Sequence, residues 1–149
     1  MIGIALFKPD IPQNTAAIIR LCACFKLNVH IIEPCSFNLN DSRFKRVVMD
    51  YMQFVKITRY EDYKSFTEKN KNSRTILMTT KANKIYHGFK FKNSDILLFG
   101  KESAGVPNEV HKSVNFRLKI PINKKTRSLN QALSVAIASS EALRQISKK

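Results

Sequence analysis

Three short stretches hold the residues whose types and spacing are suited to chemistry. Phe99-Gly100-Lys101-Glu102-Ser103-Ala104-Gly105-Val106-Pro107 carries two of the four glycines in the chain around a carboxylate and a hydroxyl. It follows a buried apolar run, so its glycines would let the backbone leave a strand end closely and line a pocket. On these residues alone an ordinary turn fits equally well. Ile120-Pro121-Ile122-Asn123 leads to Thr126-Arg127-Ser128-Leu129-Asn130, a polar segment just ahead of an apolar helix, where Ser128 would serve as the N-cap. Pro12-Gln13-Asn14-Thr15, with Arg20 after it, offers an amide for a cap or local hydrogen bond and a guanidinium. A single arginine is most often a solvated surface residue.

The elements that must position these stretches read as an α/β chain. Ile2–Phe7 is short and continuously apolar, which suits a strand buried on both faces. Further strands are expected at Val29–Ile32, Val55–Thr58, Thr75–Thr79, Asp95–Phe99 and Phe116–Ile120. Pro12 opens a helix whose apolar positions are Ala16, Ile19, Cys22 and Ala23. Asp41 and Ser42 are suitable caps for a basic helix containing Arg43, Lys45 and Arg46. Tyr60–Lys69 reads as a polar surface helix. From Leu129 to about Ile146 a helix aligns Leu133, Ala136, Ile137 and Ser140 on one face, with Lys148 and Lys149 placed at its C-terminus. Strands alternating with helices predict a mainly parallel sheet flanked by helices, in one domain over residues 1–149.

Composition narrows the function classes. The 149 residues carry 26 basic and 11 acidic side chains, a net charge of +15, which favours polyanions such as nucleic acid, although solvated surface lysines alone could produce it. No Gly-x-Gly-x-x-Gly fingerprint or Walker-type loop is present. His30, His87 and His111 form no ligand pair at helical spacing, so no metal site is expected. Cys22, Cys24 and Cys35 read as reduced, packed cysteines of a cytoplasmic protein rather than a disulfide framework. The first apolar run is cut short by Lys8, Pro9 and Asp10, so it does not read as a secretion signal, and no apolar run approaches the roughly 20 residues that span a bilayer.

Taken together, the three stretches are far more specific than any one of them. Pro12-x-Asn14-Thr15 with Arg20-Leu21-Cys22, then Phe99-Gly100-x-Glu102-Ser103-x-Gly105-Val106-Pro107, then Ile120-Pro121-Ile122 with Arg127-Ser128-Leu129-Asn130 resemble, in order, the three motifs of the SPOUT superfamily of RNA methyltransferases. Ile31-Ile32-Glu33-Pro34 and Thr79-Thr80-Lys81 resemble the small branch that methylates the ribose 2′-hydroxyl of the tRNA wobble nucleotide, cytidine or uridine. The resemblance covers nearly the whole chain. It implies an α/β sheet with a C-terminal trefoil knot, S-adenosylmethionine as cofactor, tRNA as substrate, and a homodimer whose active site draws on both subunits. By the same resemblance Met78, Gly100, Ile120, Ser128 and Leu129 line the cofactor pocket, and Asn14, Arg20, Glu102, Ser128 and Asn130 stand near the reacting ribose. Lys101, Ala104 and Ser140 depart from the branch pattern at positions where a proline, an arginine and a tyrosine occur in relatives, and the last two bear on RNA contacts.

A ribose hydroxyl is a weak nucleophile, so the implied reaction needs alignment of oxygen, methyl carbon and sulfur, with relief of charge as the proton leaves. The resemblance makes Arg20 the leading catalytic residue. A guanidinium is normally always protonated, which favours stabilisation of the developing alkoxide or phosphate positioning over proton abstraction. Arg43, Lys45 and Arg46 are candidates for holding tRNA phosphates, or equally a solvated helix face. A 2′-O-methyltransferase of another tRNA position or of rRNA, and an RNA-binding protein of the same fold without catalysis, are the alternatives.

Overall fold

Strands that are apolar at every position need cover on both faces, and the chain supplies it by alternating strands with helices. The computed structural model describes residues 1–147. In chain order the elements are β1 (Gly3–Phe7), α1 (Pro12–Phe25), β2 (Asn28–Ile32), α2 (Ser42–Met52), β3 (Ile57–Tyr60), α3 (Tyr63–Lys69), β4 (Thr75–Met78), β5 (Ile96–Phe99), α4 (Asn108–Ser113), β6 (Phe116–Leu118) and α5 (Gln131–Ile146). The six strands form one sheet in the order β3-β2-β1-β5-β4-β6, and every pairing is parallel. The sheet is therefore wholly parallel where a mainly parallel one was expected.

The period-two alternation of strand side chains sends successive residues of β1 to two different cores. Ile4 and Leu6 join Ile18 and Cys22 of α1 and Val135, Ala138 and Ala142 of α5. Ala5 and Phe7 join Phe66 of α3 and Val110 of α4 on the opposite face. β1 lies between β2 and β5, with Gly3 opposite both Asn28 and Ile96. The direction of chain growth across the sheet reverses there, which is where parallel sheets open a crevice at their carboxyl ends.

Several boundaries differ from expectation for local reasons. β3 sits two residues later than expected, because its register against β2 pairs Val29 with Ile57 and Ile32 with Tyr60. Tyr60 thus ends a strand, its hydroxyl 2.8 Å from His30 Nδ1, and Asp62 caps α3 by accepting from the Ser65 amide at 2.8 Å. β6 stops at Leu118, after which Lys119 exchanges backbone hydrogen bonds with Lys84 and Tyr86 of the β4–β5 connection. The N-cap of α5 is Asn130, whose side chain accepts from the Leu133 amide at 3.3 Å; Ser128 lies before the helix and does not cap it. The buried stripe of α5 is Gln131, Val135, Ala138, Ser139 and Ala142, whereas Leu133 is 57% exposed and Ser140 is exposed. Cys22 is buried as expected, but Cys24 faces solvent rather than packing. Lys148 and Lys149 lie outside the described residues. Among the described residues no helix is long and apolar enough to cross a membrane.

Candidate active site

The carboxyl ends of β4 and β5 open into a cavity of about 490 Å³, within the range of small-ligand sites. Met78 is the last residue of β4, and Gly100 follows the last residue of β5. Ile120, Ser128 and Leu129 approach from the connection between β6 and α5. All five residues expected to hold the cofactor therefore line one cavity, together with Asn14, Glu102 and Asn130.

The turn after β5 explains its glycines. Lys101 and Gly105 exchange backbone hydrogen bonds at 3.0 and 2.7 Å, closing a tight loop. A Cβ built on Gly100 would lie 2.7 Å from the Gly105 Cα and carbonyl carbon, closer than real Cβ contacts allow, and Gly105 itself has φ +66°. Both positions therefore favour glycine on steric grounds.

Asp10, just beyond β1, fastens this loop to the start of α1. Its amide donates to Glu102 Oε2 at 2.9 Å, its Oδ1 accepts from the Glu102 amide at 3.2 Å, and its Oδ2 accepts from the Ser103 hydroxyl. Burial and the hydrogen-bonded contact with Asp10 push the Glu102 carboxyl above the usual carboxylate range. Asp10 is held below its usual value by the hydrogen bonds from Glu102 and Ser103 and by the nearby charge of Lys101. Across the cavity, Asn130 Nδ2 donates to Asn14 Oδ1 at 3.0 Å, which ties the start of α5 to α1. Gln131 Nε2 donates to the Gly100 carbonyl oxygen at 2.7 Å. The sequence pattern does not single out Asp10, which there only ends an apolar run, or Gln131, a polar residue on a different stripe of α5 from the one the helical spacing suggests.

Two acceptors in this cavity, Glu102 Oε1 and Gln131 Oε1, are buried without a protein hydrogen-bond partner. A ligand carrying amine and hydroxyl donors answers them. S-adenosylmethionine carries both kinds of donor, and Gly100 and Gly105 present no side chain that would hold a ligand away from the backbone. The residues present thus fit that group.

Residues 1–140 match the SpoU rRNA Methylase family. The chain belongs to this family. It is 43% identical over 145 residues to a tRNA (cytidine(34)-2′-O)-methyltransferase of Beijerinckia indica subsp. indica, covering 96% of this chain and 91% of that protein. It is 36% identical over 148 residues to the protein of the same name from Escherichia coli K12, covering 98% and 94%. A solved structure described as giving insights into the 2-OH methylation of C/U34 on tRNA superposes with a TM-score of 0.94 at 33% identity, over 100% of this chain and 98% of that one. The fold recurs in the AviRb methyltransferase of Streptomyces viridochromogenes in complex with AdoMet, with a TM-score of 0.87 at 19% identity, over 96% of this chain and 59% of that one.

Within this SpoU-family chain, Arg20 is not part of the cavity that holds the other named residues. It is exposed on α1 and borders a second cavity of about 740 Å³, between α1 and the start of α2, with Phe37, Arg43 and Phe44. Its guanidinium carbon lies 4.8 Å from the Tyr51 ring centroid. The helical spacing from Asn14 therefore does not bring Arg20 back to the pocket of its own chain: Asn14 is on the buried side of α1 and Arg20 on the exposed side. Arg43, Lys45 and Arg46 are all exposed on α2, and Arg43 pairs with its own cap, Asp41, at 3.3 Å. Among the described residues, no group of three or more His, Cys, Asp or Glu is placed to hold a metal ion.

Proposed function

We propose that this chain transfers a methyl group from S-adenosylmethionine to the ribose 2′-hydroxyl of the tRNA wobble nucleotide, cytidine or uridine 34. The observation that carries the reading is the joining of the three motif stretches around one cavity at the carboxyl ends of β4 and β5, in a chain matched over nearly its full length by relatives named for that reaction. Bound S-adenosylmethionine supplies an electrophilic methyl group. Met78, Gly100, Ile120, Ser128 and Leu129 hold it, and Asn14 and Asn130, locked to each other, orient the ribose. Glu102 contributes a carboxyl whose raised proton affinity suits hydrogen bonding near the hydroxyl. Residues 1–149 act as one domain of a cytoplasmic enzyme, and the segment after β6 passes through the β4–β5 connection as a trefoil knot. The backbone bonds of Lys119 to Lys84 and Tyr86 support that path.

The working unit in this proposal is a homodimer. The exposed Leu133 and half-buried Ile137 of α5, with Ile11 beside the cavity, give an apolar face that a second copy would cover. Arg20, turned away from its own cavity, then serves the cavity of the second copy, where its charge stabilises the developing alkoxide or holds the adjacent phosphate. Arg43, Lys45 and Arg46 hold tRNA phosphates.

The test is methyl transfer from labelled cofactor into total tRNA, followed by nucleoside mapping. Label in 2′-O-methylcytidine or 2′-O-methyluridine at position 34 is expected. Label elsewhere in tRNA or in rRNA would move the substrate, and cofactor binding with no transfer to any RNA would make the chain a non-catalytic RNA-binding protein.

A further inference from the structure

Gln131 is the first residue of α5 and only 8% exposed. An amide buried to this degree is expected to use both ends. Its Nε2 is committed, donating to the Gly100 carbonyl oxygen at 2.7 Å. That bond also settles which way the amide points, because a carbonyl can only accept: the NH₂ must face Gly100, and Oε1 must face away. Oε1 has no protein partner and is buried, and the residue lines the cavity beside Gly100 and Leu129. Gln131 is therefore a residue of the cavity wall with one acceptor still unpaired.

We infer that Gln131 is a further cofactor-binding residue, its Oε1 accepting a hydrogen bond from a donor of S-adenosylmethionine while its Nε2 clips the Gly100 turn. The inference rests on the proposal that this cavity holds that cofactor. The donors the cofactor offers are the adenine amine, the two ribose hydroxyls and the methionine ammonium. Each would satisfy an acceptor that otherwise stays unmet on the cavity wall.

Calorimetry on the full-length protein tests this with S-adenosylhomocysteine and four analogues, each lacking one of those donors. The wild-type protein should bind the parent compound; no binding at all would overturn the cofactor reading and the inference with it. With binding established, the analogue lacking the contacted donor should bind wild type roughly 3–10-fold more weakly than the parent, as expected for one neutral hydrogen bond. In Gln131→Met, which keeps the length of the side chain but has no amide, that gap should close. Persistence of every analogue's gap in Gln131→Met would overturn the inference alone and leave Gln131 as a clip for the Gly100 turn. Should Gln131→Met lose its fold by circular dichroism, Gln131→Glu replaces it. There the carboxylate keeps an acceptor but opposes the Gly100 carbonyl, so the parent should bind more weakly while the analogue gap remains; a vanished gap would overturn the inference.

Discussion

Replacing Arg20 by alanine should separate catalysis from stability. In the folded chain the guanidinium is exposed and lies over the Tyr51 ring, 4.8 Å from its centroid. An exposed contact of this kind is worth about 0.5–1 kcal/mol, so the melting temperature should fall by no more than about 4 °C. Loss of a preorganised charge at the developing alkoxide costs about 100-fold or more in rate, equivalent to about 2.7 kcal/mol. The catalytic loss thus exceeds the folding loss severalfold, and cofactor affinity should hardly change because Arg20 lies outside the cavity. Arg20→Lys should also be poor, since an ammonium lacks the planar fork. Single-turnover methylation at saturating tRNA, beside calorimetry and thermal unfolding, reads these effects. Because Arg20 is proposed to act on the second copy, a mixing experiment is decisive. Arg20→Ala is co-assembled with Leu129→Trp, a variant whose enlarged side chain fills the cavity. Random pairing of equal amounts places about half the molecules in mixed dimers, each with one complete site, so about a quarter of wild-type activity should return. No recovery from two variants that fold and co-assemble would refute action across the interface. Near-normal turnover in Arg20→Ala alone would remove Arg20 from the catalytic set.

Two further outcomes follow from the packing. Gly100→Ala places a Cβ against the Gly105 backbone, which cannot swing aside, so it should cost roughly 1–3 kcal/mol in denaturant unfolding and weaken cofactor binding about tenfold or more by calorimetry; wild-type values for both would show that the turn relaxes freely. His30, packed between Gly3 and Tyr60, is held down to about 4 from 6.5 by burial and by the charge of Lys56. Its folded-state value lies below the unfolded one, so the unfolded chain binds the extra proton and stability falls as the pH drops from 6.5 towards 4. That loss, at most about 3 kcal/mol and less for a side chain still partly reached by water, should shrink in His30→Gln when chemical unfolding is followed across this range.

Much of this molecule is written locally. The continuous apolar runs of β1, β4 and β5 identify buried parallel strands, because only a sheet covered on both faces accepts them. Pro12 and Asp41 mark helix starts because a missing amide hydrogen and a short carboxylate suit a first turn. The glycines of the turn after β5 and the polar segment before α5 stand out in the sequence as candidates, and the fold places both on one cavity. The position of β3 was less legible: a shift of two residues keeps each side chain on the same face, so both placements fit the pattern, and pairing with β2 chooses between them.

The connections between distant residues came only from the tertiary structure. Asn14 meets Asn130 across 116 residues and Asp10 meets Glu102 across 92, because β1 lies beside β5 while α1 and α5 cover the same face of the sheet. No periodicity records such a pairing. The same holds for Gln131, whose role depends on the Gly100 carbonyl being within reach, and for Arg20. The family resemblance in the sequence made Arg20 a catalytic candidate. Only the fold decided that it points away from the cavity of its own chain, because the side of α1 that packs on the sheet carries Asn14, while the opposite side carries the guanidinium.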